Sequence, residues 1–510
     1  MKLFRSTVIL FATLLATVPA MAQKPCCKTG AQHFADSVSR GKALYGSGFG
    51  VLAVRVGGDT IACINPHKRL LPASNNKLIS TGLALVELGP EFRFPTSIAY
   101  SGSIKDGVLE GDLYIVGGGD PTIASGDSIS LEANQLFSVW KKFIDDAGIR
   151  EIHGRVIGDG RYFDGMYIPG SWQYTDLGTY YGTGGNGLSF YRNVKSFNVT
   201  AGKNVGDPVT VVDSYPDTPW MTYTNESTTG ESGTGDELYL YTSELAPVGI
   251  MRGTFAVDRR PKTEECSNMF PALTCAWYFT NFLKGNGLRV SGEAADIGQD
   301  GKVRTTPTIC TGLYPAAEEM TVIGTSYSPT IEQIARITNW RSDNYYAETL
   351  YRMIGRKNAG SADYEACQMA EYQALERLGL CTEEINIEDG SGLSRHDYLT
   401  PSFFCDFLKA MMGTDVFPAY RRTIGSPGHG MYEYRLKDQS EELRKSILYK
   451  SGSMGGVRCY SGYVMPKSGR TEDTIVFSVL VNNCLASTRE LQAILDGVVA
   501  SIAKESNVNQ

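Results

Sequence analysis

Apolar and polar residues alternate with a period of two over Gly48–Ile64 on either side of Gly57-Gly58-Asp59, which predicts two strands joined by a turn. A helix is expected before them, near Ala31–Tyr45. From Ser74 to Leu88 the pattern changes: Leu, Ile, Val and Ala fall on most faces, so the segment predicts a helix buried nearly all round. Gly89-Pro90 ends it, because glycine takes the left-handed cap and proline cannot continue. Ser74 is expected to be its first residue. From about Phe92 to Cys310 the texture is short strands, glycines and polar loops, with Lys105-Asp106-Gly107 as a hairpin turn and one helix at Ser130–Ala147. The Thr-, Gly-, Ser- and Glu-rich stretch Thr222–Glu237 reads as an exposed loop.

Helical spacing returns beyond Ser328, at Thr330–Asn339, Tyr345–Arg356, Ala362–Leu378 and Pro401–Met412. Strands are predicted at Ser446–Ser451, Tyr460–Met465 and Thr474–Asn482, and a last helix at Arg489–Ala503. Consecutive antiparallel strands with helices before and after them imply an α+β fold, an antiparallel sheet covered by helices. Residues 23–91 and 319–510 are expected to form one discontinuous domain. It is interrupted by 92–318, a mainly β insertion of one or two subdomains.

At the amino end, Lys2 and Arg5 precede an uncharged apolar run from Val8 to about Ala16, followed by Ala20-Met21-Ala22. That order predicts a signal peptide over residues 1–22, cut near Ala22, and a mature protein exported to the periplasm. No later stretch is long and apolar enough to span a bilayer, and Gln-Lys-Pro before Cys26 and Cys27 is unlike a lipoprotein cleavage site, so no membrane anchor is expected. With 48 basic against 55 acidic residues and a net charge of −7, the chain has no basic cluster for nucleic acid. Eleven cysteines leave at least one without an intrachain partner. Cys-x-x-Cys and His-Glu-x-x-His are both absent, so neither metal nor cofactor is expected.

Three short signatures carry the chemistry, each weak alone. Ser-x-x-Lys occurs at Ser39/Lys42, Ser74/Lys77, Ser138/Lys141 and Ser501/Lys504; Ser-x-Asn begins at Ser74, Ser196 and Ser342; Lys-Thr/Ser-Gly begins at Lys28, Lys450 and Lys467. A serine nucleophile needs a base within reach, and residues at i and i+3 of a helix share a face. Only Ser74 and Lys77 open a buried helix, where the amino-terminal dipole favours negative charge. Ser342-Asp343-Asn344 lies between two predicted helices, and Lys450-Ser451-Gly452-Ser453 extends a predicted strand.

Taken in the order Ser74, Ser342, Lys450, these motifs resemble the penicillin-interacting serine enzymes. More narrowly, the chain is similar to the DD-carboxypeptidase/endopeptidase group of low-molecular-mass penicillin-binding proteins, which carries a long insertion between the first two motifs. The likeness extends to Ser342-Asp343-Asn344-Tyr345-Tyr346-Ala347-Glu348, to Asp389-Gly390-Ser391-Gly392-Leu393-Ser394-Arg395, and to Lys450-Ser451-Gly452-Ser453-Met454 with Gly456-Val457 and Gly462-Tyr463. Ser451 stands where the family more often has threonine. Around Asn204–Glu265 the likeness is one of length alone.

The resemblance implies a D-Ala-D-Ala carboxypeptidase or DD-endopeptidase acting on peptidoglycan stem peptides, with β-lactams as covalent inhibitors. Ser74 is the implied nucleophile and Lys77 its base. Ser342 relays the proton to the leaving amine, and Asn344 holds the substrate amide. Lys450, Ser451 and Ser453 hold the terminal carboxylate, and the N–H groups of Ser74 and Ser453 form the oxyanion hole. A lysine of ordinary pKa, about 10.4, is a poor base near neutrality, so burial and a second cation, Lys450, are expected to lower it. Asp159, in Gly158-Asp159-Gly160-Arg161, is the implied partner of the substrate's side-chain amine; the competing reading is a turn aspartate. Asp389 and Arg395 read as loop braces, and Cys367 and Cys405 as buried thiols. Two alternatives stay open: a β-lactamase, disfavoured by the insertion and by the lack of a class A glutamate block, and a non-catalytic peptidoglycan-binding scaffold.

Overall fold

A computed structural model describes residues 29–299, 301–305 and 319–507. The expected signal peptide, Cys26, Cys27 and Cys310 lie outside these residues. Gly48–Arg55 pairs antiparallel with Thr60–Ile64 on one side and with Ile475–Asn482 on the other; Val457–Val464 follows, and Ile447–Met454 is the edge strand. Strands from the two ends of the chain therefore share one five-stranded sheet.

Both faces of this sheet are covered, so its strands are apolar on both sides. Val457, Cys459 and Tyr463 face a core shared with the helices Lys77–Leu88, Ile331–Arg341, Asn344–Asn358 and Pro401–Met412. Their neighbours Tyr460 and Val464 face the opposite core, under Gly30–Ser39 and Thr488–Lys504. In the first core Leu78, Ile79, Leu83, Ala84 and Leu85 are fully buried, and each large aliphatic side chain contributes about 1.5–3 kcal/mol. The helix ends where the sequence requires, with Gly89 at positive φ.

Several expectations need correction. Ser74 precedes the α-helix: Ala73–Asn76 is a 3₁₀ turn, and the α-helix begins at Lys77. The helix expected near Ala31–Tyr45 stops at Ser39, and a short 3₁₀ turn, Lys42–Leu44, follows Gly41. Within the insertion a second helix, Pro271–Gly285, packs Phe279 against Phe137 and Trp140 of the Ala133–Asp146 helix. Thr222–Glu237 contains two short strands, Thr222–Asn225 and Thr228–Gly230, each paired in parallel with a later strand. Thr321–Tyr327 pairs along Pro95–Tyr100 in a six-stranded sheet whose other strands lie within 92–318. Cys266, Cys275, Cys367, Cys381, Cys405, Cys459 and Cys484 are free thiols, Cys367 and Cys405 fully buried.

Candidate active site

The 3₁₀ turn that carries Ser74 is wedged between two glycines. A Cβ on Gly452 of the edge strand would lie 2.7 Å from the Pro72 carbonyl and 2.9 Å from the Ser74 nitrogen. A Cβ on Gly392, at φ +78°, would lie 1.9 Å from the Ala73 carbonyl. Backbone from both sides thus reaches the turn only because neither position has a side chain. Ala73 itself holds φ +46°, a left-handed conformation that costs a non-glycine residue on the order of 1 kcal/mol.

One turn later Lys77 is completely buried, and its Nζ donates to Ser74 Oγ at 2.8 Å, Asn344 Oδ1 at 2.6 Å and the Ser391 carbonyl at 2.8 Å. Two of these acceptors are carbonyl oxygens and can only accept. The third is a hydroxyl, which can reverse its role. A neutral amine keeps both carbonyl bonds and turns its lone pair to the Ser74 hydroxyl. Burial lowers the Lys77 pKa to about 8, against the opposing pull of the Asp389, Glu348 and Asp343 carboxylates.

The Ser391 carbonyl is held in place by buried carboxylates. Glu348 accepts from the N–H groups of Ser391 at 2.8 Å and Gly390 at 3.2 Å, and Asp389 accepts from Gly392 at 2.6 Å and Ser394 at 2.7 Å. Burial, with Asp389 nearby, raises Glu348 to about 8. Asp389 is therefore a loop brace, as its sequence context suggested.

Ser342 caps the Ile331–Arg341 helix at φ +57°, and its Oγ accepts from Lys450 Nζ at 2.8 Å. Lys450 is fully buried and also donates to the Ser451 carbonyl at 2.6 Å. Its pKa is pushed well down, by burial first and by Lys77 second. Burial is the leading cause for both amines. Ser74, Ser342, Asn344, Ser451 and Ser453 line one cleft of about 570 Å³.

Residues 31–505 match the model of the D-Ala-D-Ala carboxypeptidase 3 (S13) family. The chain belongs to that family. It is accordingly a serine-type D-Ala-D-Ala peptidase of the low-molecular-mass penicillin-binding group. The D-alanyl-D-alanine carboxypeptidase of Actinomadura sp. (strain R39) is 27% identical over 512 residues, spanning 96% of this chain and 88% of that protein. The D-alanyl-D-alanine carboxypeptidase DacB of Haemophilus influenzae is 22% identical, spanning 88% of each. The fold is that of penicillin binding protein 4 from Haemophilus influenzae, with a TM-score of 0.76 at 21% identity over 92% of this chain and 98% of that one.

In this D-Ala-D-Ala carboxypeptidase family member the insertion forms one wall of the cleft, through Asp176, Tyr180, Tyr181 and Arg192. Arg192 donates to Asp343 at 2.5 Å, Trp172 Nε1 to Asp389 at 2.8 Å, and the Tyr181 carbonyl accepts from Asn344 Nδ2 at 2.8 Å. Asn344 therefore has both ends of its amide engaged. Asp159 stands elsewhere. Buried at the end of Val156–Asp159, its carboxylate is gripped by Arg161 through Nε at 2.9 Å and Nη2 at 2.7 Å, and it does not line the cleft. Its position lends no support to the amine-binding role expected of it. Two acids line the cleft: Asp176, whose pKa burial raises, and Asp343, which is paired with Arg192. Sequence reasoning had also passed over Tyr181, Arg435 and Arg458, because their approach to Ser74 depends on folding across long separations.

Proposed function

We propose that Ser74 is the acyl-acceptor of an exported DD-peptidase, freed of its signal peptide near Ala22, that cleaves peptidoglycan stem peptides in the periplasm. The observation that carries this reading is the 2.8 Å contact between a fully buried lysine and the Ser74 hydroxyl, in a cleft that also holds Ser342 and the edge strand. Neutral Lys77 takes the hydroxyl proton as Oγ bonds to the carbonyl carbon of the penultimate D-alanine. The N–H groups of Ser74 and Ser453 face the oxyanion. As the C–N bond breaks, the departing amine takes a proton through Ser342, whose Oγ is in contact with Lys450. Water then adds to the ester and releases Ser74. In a terminal substrate the departing amine is D-alanine, and in a crosslink it is the side-chain amine of the neighbouring stem peptide.

A β-lactam carbonyl meets the same nucleophile, and its ester persists. Among the described residues no helix is long and apolar enough to cross a membrane. That the Lys77 amine bonds Ser74 directly favours a working enzyme over a scaffold. Fluorescent penicillin should label the wild-type protein covalently and leave Ser74→Ala unlabelled, and defined muropeptides should lose D-alanine or a crosslink by mass. A wild-type protein that stays unlabelled at saturating penicillin overturns the reading.

A further inference from the structure

The edge strand divides its side chains between two faces. Lys450 lies opposite Ser461, whose hydroxyl accepts from Asn75 in the nucleophile turn, so this pair faces the Ser74 side of the sheet. Ser451 and Ser453 point the other way, opposite Tyr460 and Arg458. The Lys450 amino group is thus engaged with Ser342 and its own strand's carbonyl, on the face away from the two serine hydroxyls.

Arg458 shares their face. It stands directly across from Ser453, where side-chain Cβ atoms of antiparallel neighbours lie about 4.5–5.5 Å apart. Its side chain lines the cleft, the residue is only 8% exposed, and its Nε is buried without a hydrogen-bond partner. Four other arginines line the cleft. Arg192 is paired with Asp343, Arg341 with Asp127 and Arg435 with Asp496 at 3.7 Å, while Arg395 donates weakly to the Gly455 carbonyl at 3.4 Å. Near Arg458, Asp496 is the carboxylate that feels its charge, and Asp496 is already claimed by Arg435, which also stacks at 5.9 Å on Tyr460. Two guanidinium groups face one carboxylate, leaving one positive charge uncompensated beside the hydroxyls of Ser451 and Ser453. A planar anion that bonds two N–H groups at once is what such a guanidinium best accommodates.

We propose that Arg458 is the cation that receives the substrate's terminal carboxylate, together with the hydroxyls of Ser451 and Ser453. Lys450 instead serves Ser342. The inference rests on Ser74 being the nucleophile and adds to it the residue that recognises a free carboxyl terminus. Buried charge-assisted hydrogen bonds of this kind are worth roughly 10- to 100-fold in binding.

The test measures second-order acylation rate constants by intact-protein mass spectrometry for benzylpenicillin and for its methyl ester, which lacks the anionic carboxylate. Wild type, Arg458→Ala and Arg458→Lys are compared, with thermal unfolding followed in parallel. Arg458→Ala is expected to lose about 10- to 100-fold toward the free acid and less than about 3-fold toward the ester, and Arg458→Lys to recover part of the difference. If Arg458→Ala does not fold, Arg458→Lys carries the test through a reduced acid-to-ester ratio. An acid-to-ester preference unchanged in the variants, or equal losses toward both compounds, overturns the role of Arg458 while acylation of the wild type leaves Ser74 in place. A wild type acylated by neither compound overturns the nucleophile, and this inference with it.

Discussion

Moving the pH from 7 to 9 should raise the acylation rate constant about tenfold, because Lys77 is active only as the neutral amine. With its pKa at about 8, roughly one molecule in eleven holds the amine at pH 7 and ten in eleven at pH 9. An ordinary lysine at 10.5 would supply the amine in about one molecule in 3,000 at pH 7, so burial enriches the base about 300-fold. The sign follows from the cause: desolvation disfavours the ammonium, which releases its proton earlier as pH rises.

Three carboxylates oppose this, none of them among the groups that shift Lys450; Glu348, which itself ionises near pH 8, holds the Lys77 proton over the upper part of the profile. Glu348→Gln keeps an acceptor for the Ser391 N–H and sacrifices the weaker bond to Gly390, about 1 kcal/mol. It should move the inflection to lower pH. The assay is stopped-flow acylation by a fluorescent penicillin from pH 6 to 9.5 at constant ionic strength. A flat wild-type profile, or an inflection that Glu348→Gln leaves in place, would refute the assignment of Lys77 as the titrating base.

Lys77→Arg should lose acylation by at least about 100-fold at every pH, since a guanidinium does not deprotonate; rate recovery at high pH in a penicillin-labelling time course would contradict this. Gly452→Ala should slow acylation with only a modest change in thermal midpoint, because the new Cβ presses on Pro72 and Ser74 and leaves both cores intact; the pair of measurements is labelling rate and differential scanning calorimetry. Leu83→Ala, emptying a fully buried site in the helix core, should cost about 2–5 kcal/mol in urea unfolding.

What could be read from the sequence was whatever its period records. Pro401–Met412 was placed to the residue, and the three carboxyl-terminal strands to within a few, because one-sided or continuous apolar runs mark them. Pro271–Gly285 escaped because Phe, Trp, Tyr, Leu and Ala surround it, so it is buried on nearly every face and shows little helical alternation. The strands within Thr222–Gly230 escaped because Thr and Gly dominate them and their partners lie some 25 residues on, where no local pattern reports pairing. At the site, Ser74, Lys77, Ser342 and Lys450 were legible as motifs. The carbonyl of Ser391 was not, since a backbone acceptor leaves no trace in residue identity. The closing of Arg161 on Asp159 was not legible either, since nothing in the spacing announces that pairing.

Three bonds give the segment between the first two motifs a part in the site. The groups around Ser74 come from a turn, a helix junction, a loop and an edge strand. The insertion reaches two of them, the junction and the loop, through three bonds. Tyr181 fixes Asn344, and through it one of the three contacts of Lys77. Arg192 fixes Asp343, beside Ser342. Trp172 fixes Asp389, which bonds the loop that presents the Ser391 carbonyl. A wall built only to shape the cleft would need none of these bonds. Because they converge on the groups that surround one amine, the insertion is part of what keeps Lys77 dry, oriented and titrating near neutrality.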